Sequence, residues 1–165
     1  MMQLENELFF RTETISLQEL TAAVVDDLYE LLTQYHVTLE YTVESDFTVH
    51  RCNRSLLFTL VYNLATNAIK YNHPGGQVHL LGQPAPSGQG YLLEVHDTGP
   101  GIACAQLPYN SRSCNAERPG EPAHSGIGLA MAWTIAELHQ IFISVDSHKG
   151  VGSSFRLLFP NVPRF

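Results

Sequence analysis

Two asparagines and a lysine interrupt an apolar stretch of the sequence, LVYNLATNAIKYN, at residues 60–72. Asn63, Asn67 and Lys70 are spaced i, i+4, i+7, so in a helix they share one face. Amide oxygens can ligate a hard cation such as Mg²⁺, and a lysine one turn further on can contact phosphate oxygens. The alternative is that the amides cap neighbouring backbone groups and the lysine points to solvent. The stretch by itself is compatible with both interpretations.

A carboxylate followed by two glycines occurs in HDTGPGI, at residues 96–102. Asp97 ends a predicted strand, and Gly99 and Gly101 allow a tight turn and the close approach of a flat ligand. A carboxylate at a strand end can accept a hydrogen bond from an exocyclic amine, such as that of adenine. An ordinary turn begun by aspartate has the same spacing, so this motif also leaves two interpretations open.

Two further glycine pairs lie later in the chain. Gly126 and Gly128, in HSGIGLAMA, stand where a long loop enters a predicted helix. The free N–H groups and the dipole at a helix start favour phosphate. The other pair lies in KGVGSSF, residues 149–155, which contains Ser153 and by itself predicts a hairpin turn. The sequence has no GxxxxGK[ST] motif, which excludes a Walker-type nucleotide site.

The elements that position these residues follow from periodicity and turn signals. Helices are predicted at residues 17–36, 53–72 and 126–139. Strands are predicted at residues 37–43, 77–83, 91–97, 141–147 and 153–159, with a further short one at FTVH. The irregular segment 98–125 predicts a functional loop or lid. This order predicts an α/β fold, a two-layer sandwich of a mixed β-sheet with helices on one face.

Composition narrows the classes of function. A chain of 165 residues suffices for one domain with its own core. The 9 basic and 16 acidic residues give a net charge of -7, which argues against nonspecific binding of nucleic acid. Cys52, Cys104 and Cys114 form no CxxC pair, which predicts reduced thiols and a cytoplasmic setting. No apolar run of about 18 residues and no signal peptide occurs, so we expect no direct membrane contact by this domain, whether or not a parent protein is anchored in a membrane.

The four motifs, taken in order and spacing, resemble those of a known family. N-x-x-x-N-A-x-K-Y, D-x-G-x-G, G-x-G-L and G-x-G-S-x-F are similar to the motifs of the ATP-binding catalytic domain of sensor histidine kinases. These kinases share a superfamily with DNA gyrase B, the MutL proteins and the heat-shock chaperone ATPases. The resemblance covers residues 14–160 and implies a Bergerat-type ATP-binding fold with ATP and Mg²⁺ as cofactors. It also implies that residues 1–13 are the remnant of a preceding dimerisation helix or linker and residues 161–165 a tail.

The residues of the first motif would line the metal-binding and catalytic part of such a site. The resemblance implies that Asn67 ligates Mg²⁺, that Asn63 lines the same site and that Lys70 contacts phosphate oxygens. In the ATPase branches, the position of Asn63 holds a glutamate that activates water. An amide cannot act as a general base, so we expect phosphoryl transfer with only slow hydrolysis of ATP. The residues implied to line the phosphates are Gly126, Gly128 and Leu129, the last through its N–H.

The base would be held by the second and fourth motifs. The resemblance implies that Asp97 accepts a hydrogen bond from the adenine amine, while Gly99 and Gly101 shape the base pocket. Tyr71 would lie against the base, and Ser153 would lie near it with a water between them.

The lid departs from the family pattern. The usual phenylalanine-rich segment is replaced by QLPYNSRSCNAERPG, in which Tyr109 is the candidate for its packing and Arg112 or Arg118 for its cation. His124 takes the place of the first glycine in the usual G-x-G-x-G. Lid closure and docking are the steps that these differences affect.

The phosphoacceptor is expected outside this chain, because none of the eight histidines follows the family's phosphoacceptor pattern. The implied partners are the histidine-bearing dimerisation domain of the parent kinase and a downstream response regulator. Two alternatives stay open. One is an anti-sigma-factor-type serine/threonine protein kinase, and the other is a degenerate nucleotide-binding interaction module without turnover.

Overall fold

A mixed sheet of five strands forms the centre of the computed structural model, which describes residues 12–86, 88–100, 126–148 and 150–161. The elements of this described part are, in chain order, β1 (Glu13–Ser16), α1 (Leu17–Asp27), α2 (Tyr29–Tyr35), β2 (Thr38–Val43), β3 (Thr48–Cys52), α3 (Arg54–Lys70), β4 (Gln77–Pro84), β5 (Tyr91–Asp97), α4 (Gly126–Leu138), β6 (Phe142–His148) and β7 (Gly152–Phe159).

The strand order of the sheet is β2-β4-β5-β7-β6. β2 pairs with β4 in parallel, and the other neighbours in the sheet are antiparallel. β1 and β3 form a separate antiparallel pair. Because parallel strands need a long crossover connection, α3 serves as that crossover between β2 and β4. The predicted mixed sheet of an α/β sandwich is confirmed.

Alternate residues of the central strands form the core beneath the helices. Every second residue of β5 is buried and those between are half-buried, as expected for a pleated strand with one covered face. The core-facing residues of β5, β7 and β6 align in rows, of which Val95, Phe155 and Val145 form one. Trp133 of α4 packs edge-on against Phe155, with ring centroids 6.2 Å apart. This packing fixes α4 on the covered face of the sheet.

α3 has a capped start and a wide apolar face. The side chain of Asn53 accepts a hydrogen bond from the Leu56 N–H at 3.0 Å, which satisfies one of the free donors at the helix start. The buried residues of this helix are Leu56, Leu57, Leu60, Val61, Leu64, Ala65, Thr66, Ala68 and Ile69. Among the described residues, no helix has the length and apolar character needed to cross a membrane.

The structure differs from the sequence-based expectation at the start of the described chain. Glu13, assigned from the sequence to the preceding segment, opens β1, and this strand pairs with β3. A strand of four residues with a remote partner is too short to show a periodic signal. The predicted helix 17–36 is divided at the buried Leu28 into α1 and α2, and His36 ends α2 with a left-handed φ of 58°.

Candidate functional site

The two longest described helices form an antiparallel pair. The N–H of Asn53 before α3 donates to Nε2 of His139, just past the end of α4, at 3.0 Å. Asn67 and Gly126 lie about equally far from that contact along their helices, roughly 20 Å at 1.5 Å per residue. The two helices pack extensively against each other. The first turn of α4 therefore lies at the same end of the pair as Asn67 and Lys70.

The amide of Asn67 is incompletely satisfied. Its Nδ2 is buried and has no hydrogen-bond partner, and no other buried side-chain nitrogen or oxygen of the described residues shares this condition. Such an orphaned donor costs about 1–3 kcal/mol. Rotating the amide by half a turn would exchange Nδ2 with Oδ1, so the same position can offer a donor or an acceptor.

The other residues of the first motif lie on α3 or directly after it. Asn63 is half-buried one turn before Asn67, and its carbonyl accepts from the Thr66 hydroxyl at 3.1 Å. Lys70 is the last residue of α3 and is exposed. Tyr71 follows directly, with 41% of its surface exposed. Lys70 and the positive N-terminal end of α4 thus place favourable potential for an anion at this end of the helix pair.

Asp97 is the buried carboxylate at the end of β5. Only 8% of its surface is exposed, and burial raises its pKa above the ordinary carboxyl value because the charged form loses solvation. The Gly99 N–H donates to Oδ1 at 2.8 Å, and the Ser153 N–H also donates to this carboxylate. Both bonds stabilise the charged form and limit the rise in pKa. A carboxylate has about four lone-pair positions, so it can still accept a bond from a ligand.

A hydrogen-bond network holds the loop after Asp97 against the start of β4 and the turn that follows α3. The Gln77 N–H donates to Oγ1 of Thr98 at 3.0 Å, and the Thr98 N–H donates to the Gln77 carbonyl at 3.1 Å. The His73 side chain donates from Nε2 to the Thr98 carbonyl at 3.0 Å. The backbone N–H of His73 donates to Oδ1 of Asn72 at 2.9 Å. A Cβ placed on Gly99 would lie 3.3 Å from Cα of Asn72. These contacts join the loop after Asp97 to the turn that follows α3.

A polar row crosses three strands at the edge of the core, formed by Asp97, Ser153 and Ser147. Ser153 of β7 lies opposite Asp97, and Ser147 of β6 lies opposite Ser153. Each serine is 2% exposed, and their hydroxyl oxygens are 3.0 Å apart. Gly152, with a φ of 149°, begins β7, where a Cβ would overlap the Asp97 carbonyl oxygen. Glycine is therefore needed for this close approach.

The structure describes only some of the remaining predicted residues. Gly126 and Gly128 lie in the first turn of α4, where backbone N–H groups have no partner inside the helix. Leu129 belongs to the same turn and buries its side chain in the core. The residues outside the described part of the chain are Gly101, the lid residues Tyr109, Arg112 and Arg118, and His124.

Comparison with known proteins decides the family. Residues 52–163 match the family of histidine kinase-, DNA gyrase B-, and HSP90-like ATPases. The chain belongs to this family. It is 31% identical over 147 residues to the sensor histidine kinase RppB of Synechocystis sp., a match that covers 87% of this chain and 32% of RppB. The adaptive-response sensory kinase SasA of Synechococcus sp. is 31% identical over 156 residues, covering 94% of this chain and 41% of SasA.

The fold agrees with this assignment. The catalytic domain of histidine kinase ThkA superposes with a TM-score of 0.72 at 18% identity, covering 94% of this chain and 99% of that domain. This chain spans about a third of the length of RppB and two fifths of SasA. It is an ATP-binding catalytic domain of the histidine kinase type, which confirms the identification from the four motifs.

Two residues near the proposed site of this kinase domain were not singled out from the sequence. Ser147 does carry a signal, because the alternation in ISVDS places it on the same face as Ile143 and Val145. A polar residue at a core-facing position indicates a buried hydrogen bond. His73 has no such signal, since its contact with Thr98 joins a turn to a distant strand end.

Proposed function

We propose that this domain binds Mg²⁺-ATP between the end of α3 and the start of α4, beside the polar row of Asp97, Ser153 and Ser147. It then transfers the γ-phosphoryl group to a histidine on the dimerisation domain of its parent kinase. The bond between the γ-phosphorus and the oxygen shared with the β-phosphate breaks. A phosphorus–nitrogen bond forms with the lone pair of the imidazole, and ADP leaves. A response regulator would receive the group next, as in a two-component phosphorelay.

The observation that carries this proposal is the buried, unpartnered Nδ2 of the half-buried Asn67. A phosphate oxygen would satisfy its Nδ2, and after rotation its Oδ1 would suit a divalent cation. Mg²⁺ keeps several waters and substrate phosphates as ligands, so one protein amide can suffice. When bound, the ion would neutralise charge on the phosphates during transfer.

The phosphates fit the first turn of α4 and the end of α3. The N–H groups from Gly126 to Gly128 have no partners within the helix, and the helix dipole favours negative charge near them and near Leu129. Lys70, exposed at the end of α3, adds a positive charge. A chain with a net charge of -7 needs such local features to hold a polyphosphate.

The base fits beside Asp97. Its carboxylate would accept the adenine amine, Gly99 and Gly101 would leave room for the ring, and the exposed Tyr71 would lie against it. Ser153 would lie near the base, with a water between them. Asn63 lacks a carboxylate, so it cannot activate water, and we propose that hydrolysis is slow relative to transfer.

The setting of the domain is part of the same proposal. We propose a cytoplasmic location with no nucleic-acid partner, with residues 1–13 connecting to the dimerisation domain and residues 161–165 forming a tail. The acidic net charge supports the lack of a nucleic-acid partner.

Calorimetry with a non-hydrolysable ATP analogue and Mg²⁺ tests the site. Asn67→Ala should remove the dependence of affinity on Mg²⁺, and Asp97→Ala should weaken binding of the base. If the unaltered chain does not bind nucleotide up to millimolar concentration, the kinase function is wrong. If either variant binds as the unaltered chain does, the role given to that residue is wrong.

Transfer is tested with labelled ATP and the histidine-bearing dimerisation domain of the parent protein. Acid-labile label on that domain supports a phosphohistidine. Acid-stable label would instead support a serine/threonine kinase, and binding without any transfer would support a nucleotide-binding module without turnover.

A further inference from the structure

We propose that His73 is a positioning residue, which orients the Asp97 carboxylate for the adenine amine. It acts through the peptide group between Thr98 and Gly99. This inference rests on the proposed nucleotide site. It adds a residue that does not itself touch the nucleotide, and it assigns to that residue part of the affinity that depends on the amine.

The peptide group between Thr98 and Gly99 is hydrogen-bonded at both of its ends. Its carbonyl oxygen accepts from Nε2 of His73 at 3.0 Å, and its N–H donates to Oδ1 of Asp97 at 2.8 Å. Because a carbonyl oxygen only accepts, the histidine ring is the donor in the first bond. In a planar trans peptide the carbonyl and the N–H point in opposite directions, so the two bonds select the same orientation of one plane.

Gly99 makes this orientation depend on its hydrogen bonds. A residue without a Cβ restricts rotation of the adjoining peptide plane less than any other residue does. If the plane turned over, the Thr98 carbonyl would face the Asp97 carboxylate, and their like partial charges would repel. The other backbone donor to Asp97 is the N–H of Ser153, which belongs to a strand paired on both sides. The Gly99 N–H lies in a loop, so it is the donor whose direction a neighbouring side chain can set.

The backbone that carries the His73 ring is held by the turn after α3. Its N–H donates to Oδ1 of Asn72 at 2.9 Å, and Nδ2 of Asn72 donates to the Gln77 carbonyl at 3.1 Å. That carbonyl also accepts the Thr98 N–H at 3.1 Å. A Cβ on Gly76 would overlap Oδ1 of Asn72, so glycine leaves the space in which this side chain crosses the turn. The turn is therefore a braced support from which His73 reaches the loop.

The size of the effect follows from the exposure of this bond. His73 is exposed and Thr98 is half-buried, so water can replace the histidine donor at the carbonyl. Losing the bond then removes at most the contribution of one neutral hydrogen bond to the orientation of the peptide. Binding of adenine would have to restore that orientation, because a carboxylate that is not held by the Gly99 N–H can turn away from the amine. A nucleotide without the amine would not incur this cost.

Calorimetry of four single variants with two nucleotides tests this role. The nucleotides are ATP and purine riboside triphosphate, which keeps the purine ring but lacks the amine. His73→Phe keeps a flat ring and removes the donor. His73→Gln carries an amide NH₂ about as far from the backbone as Nε2, whereas His73→Asn carries it closer in, near the position of Nδ1.

His79→Phe is the matched control, since it makes the same substitution on the other face of the sheet. His79 follows Val78, the residue directly opposite Asp97, and successive side chains of a strand point to opposite faces. Urea unfolding of each variant checks that the fold is kept.

We expect His73→Phe to weaken binding of ATP by roughly two- to tenfold, the range of one neutral hydrogen bond. Affinity for purine riboside triphosphate should stay nearly the same, so the preference for ATP falls. His73→Gln should restore the preference, because it returns a donor to the place of Nε2. His73→Asn should not restore it, and His79→Phe should leave it unchanged.

Combining His73→Phe with Asp97→Asn tests whether the two residues act along one route. If His73 acts through the carboxylate, the double variant should prefer ATP no less than Asp97→Asn alone does, because the effects of coupled residues are not additive. A further loss of preference in the double variant would show that His73 acts by another route, and the inference would be overturned.

The outcomes separate this inference from the function on which it rests. If the unaltered chain binds no ATP, the proposed nucleotide site fails, and the inference fails with it. If the unaltered chain prefers ATP but His73→Phe weakens both nucleotides equally, His73 has only a structural role and the inference alone is overturned. It is also overturned if His73→Phe leaves the preference unchanged, or if His73→Gln does not restore it.

Discussion

Replacing Asp97 by asparagine should weaken ATP binding far more than it changes the fold. The carboxylate already accepts the N–H groups of Gly99 and Ser153, and the proposed site adds the adenine amine. Asparagine has one oxygen and one NH₂ group, so a donor must face a donor at one of these contacts. Loss of one hydrogen bond to a charged group is worth about 1.5–3 kcal/mol. We therefore expect the Kd for ATP to rise by roughly ten- to 150-fold.

The measurement is calorimetry with ATP and with purine riboside triphosphate, alongside chemical unfolding. Burial destabilises the charged form of Asp97, so removing the charge offsets part of the cost of the weakened hydrogen bonds from Gly99 and Ser153. The free energy of unfolding should therefore change by less than about 1 kcal/mol. Purine riboside triphosphate lacks the amine and should lose much less affinity. ATP affinity within twofold of the unaltered chain, or equal losses for both nucleotides, would refute the assignment of Asp97 to the base.

Three other perturbations test neighbouring features. Asn67→Ala should raise the free energy of unfolding, measured in urea, by about 1 kcal/mol, because it removes a buried Nδ2 that has no partner. The same variant should abolish the effect of Mg²⁺ on ATP affinity, which calorimetry measures. Affinity for ATP should fall on acidification through the raised pKa of Asp97, above its ordinary 3.8, and Asp97→Asn should remove the part of this dependence that belongs to the carboxyl group. The contribution of Asp97 to the free energy of unfolding should fall as pH rises from 3.8 through its raised pKa in the folded chain. The reason is that the folded chain binds this proton more tightly than the unfolded chain does. Gly152→Ala should cost more than about 2 kcal/mol in urea unfolding, whereas Gly75→Ala, with a φ of 86° and no atom within 4 Å, should cost only roughly 1–2 kcal/mol for the backbone conformation.

The elements with strong periodicity could be predicted from the sequence. α3 occupies Arg54–Lys70 within the predicted range of 53–72, and β5 has its predicted bounds. The apolar positions of both elements repeat at the period of their secondary structure, and their ends carry a cap or a turn. β1 could not be predicted, because its pairing with β3 depends on residues far away in the sequence.

The site was predictable as motifs and not as a set of contacts. The spacing of Asn63, Asn67 and Lys70 places them on one helix face, but only packing shows that Nδ2 of Asn67 is buried without a partner. Likewise Ser147 and Asp97 are brought into one row by strand register, which depends on the order of strands in the sheet. The assigned roles of these residues stay predictions until nucleotide binding is measured.

The hydrogen bond from Gly99 to Asp97 also makes that amide a spectroscopic reporter. A proton donated to a carboxylate resonates downfield, and glycine amides occupy an uncrowded region of the nitrogen–proton correlation spectrum. The neighbouring Thr98 amide donates to the Gln77 carbonyl, so it responds to opening of the loop and not directly to the carboxyl proton. Following both amides in one titration would therefore separate ionisation of Asp97 from movement of the loop, without altering any residue.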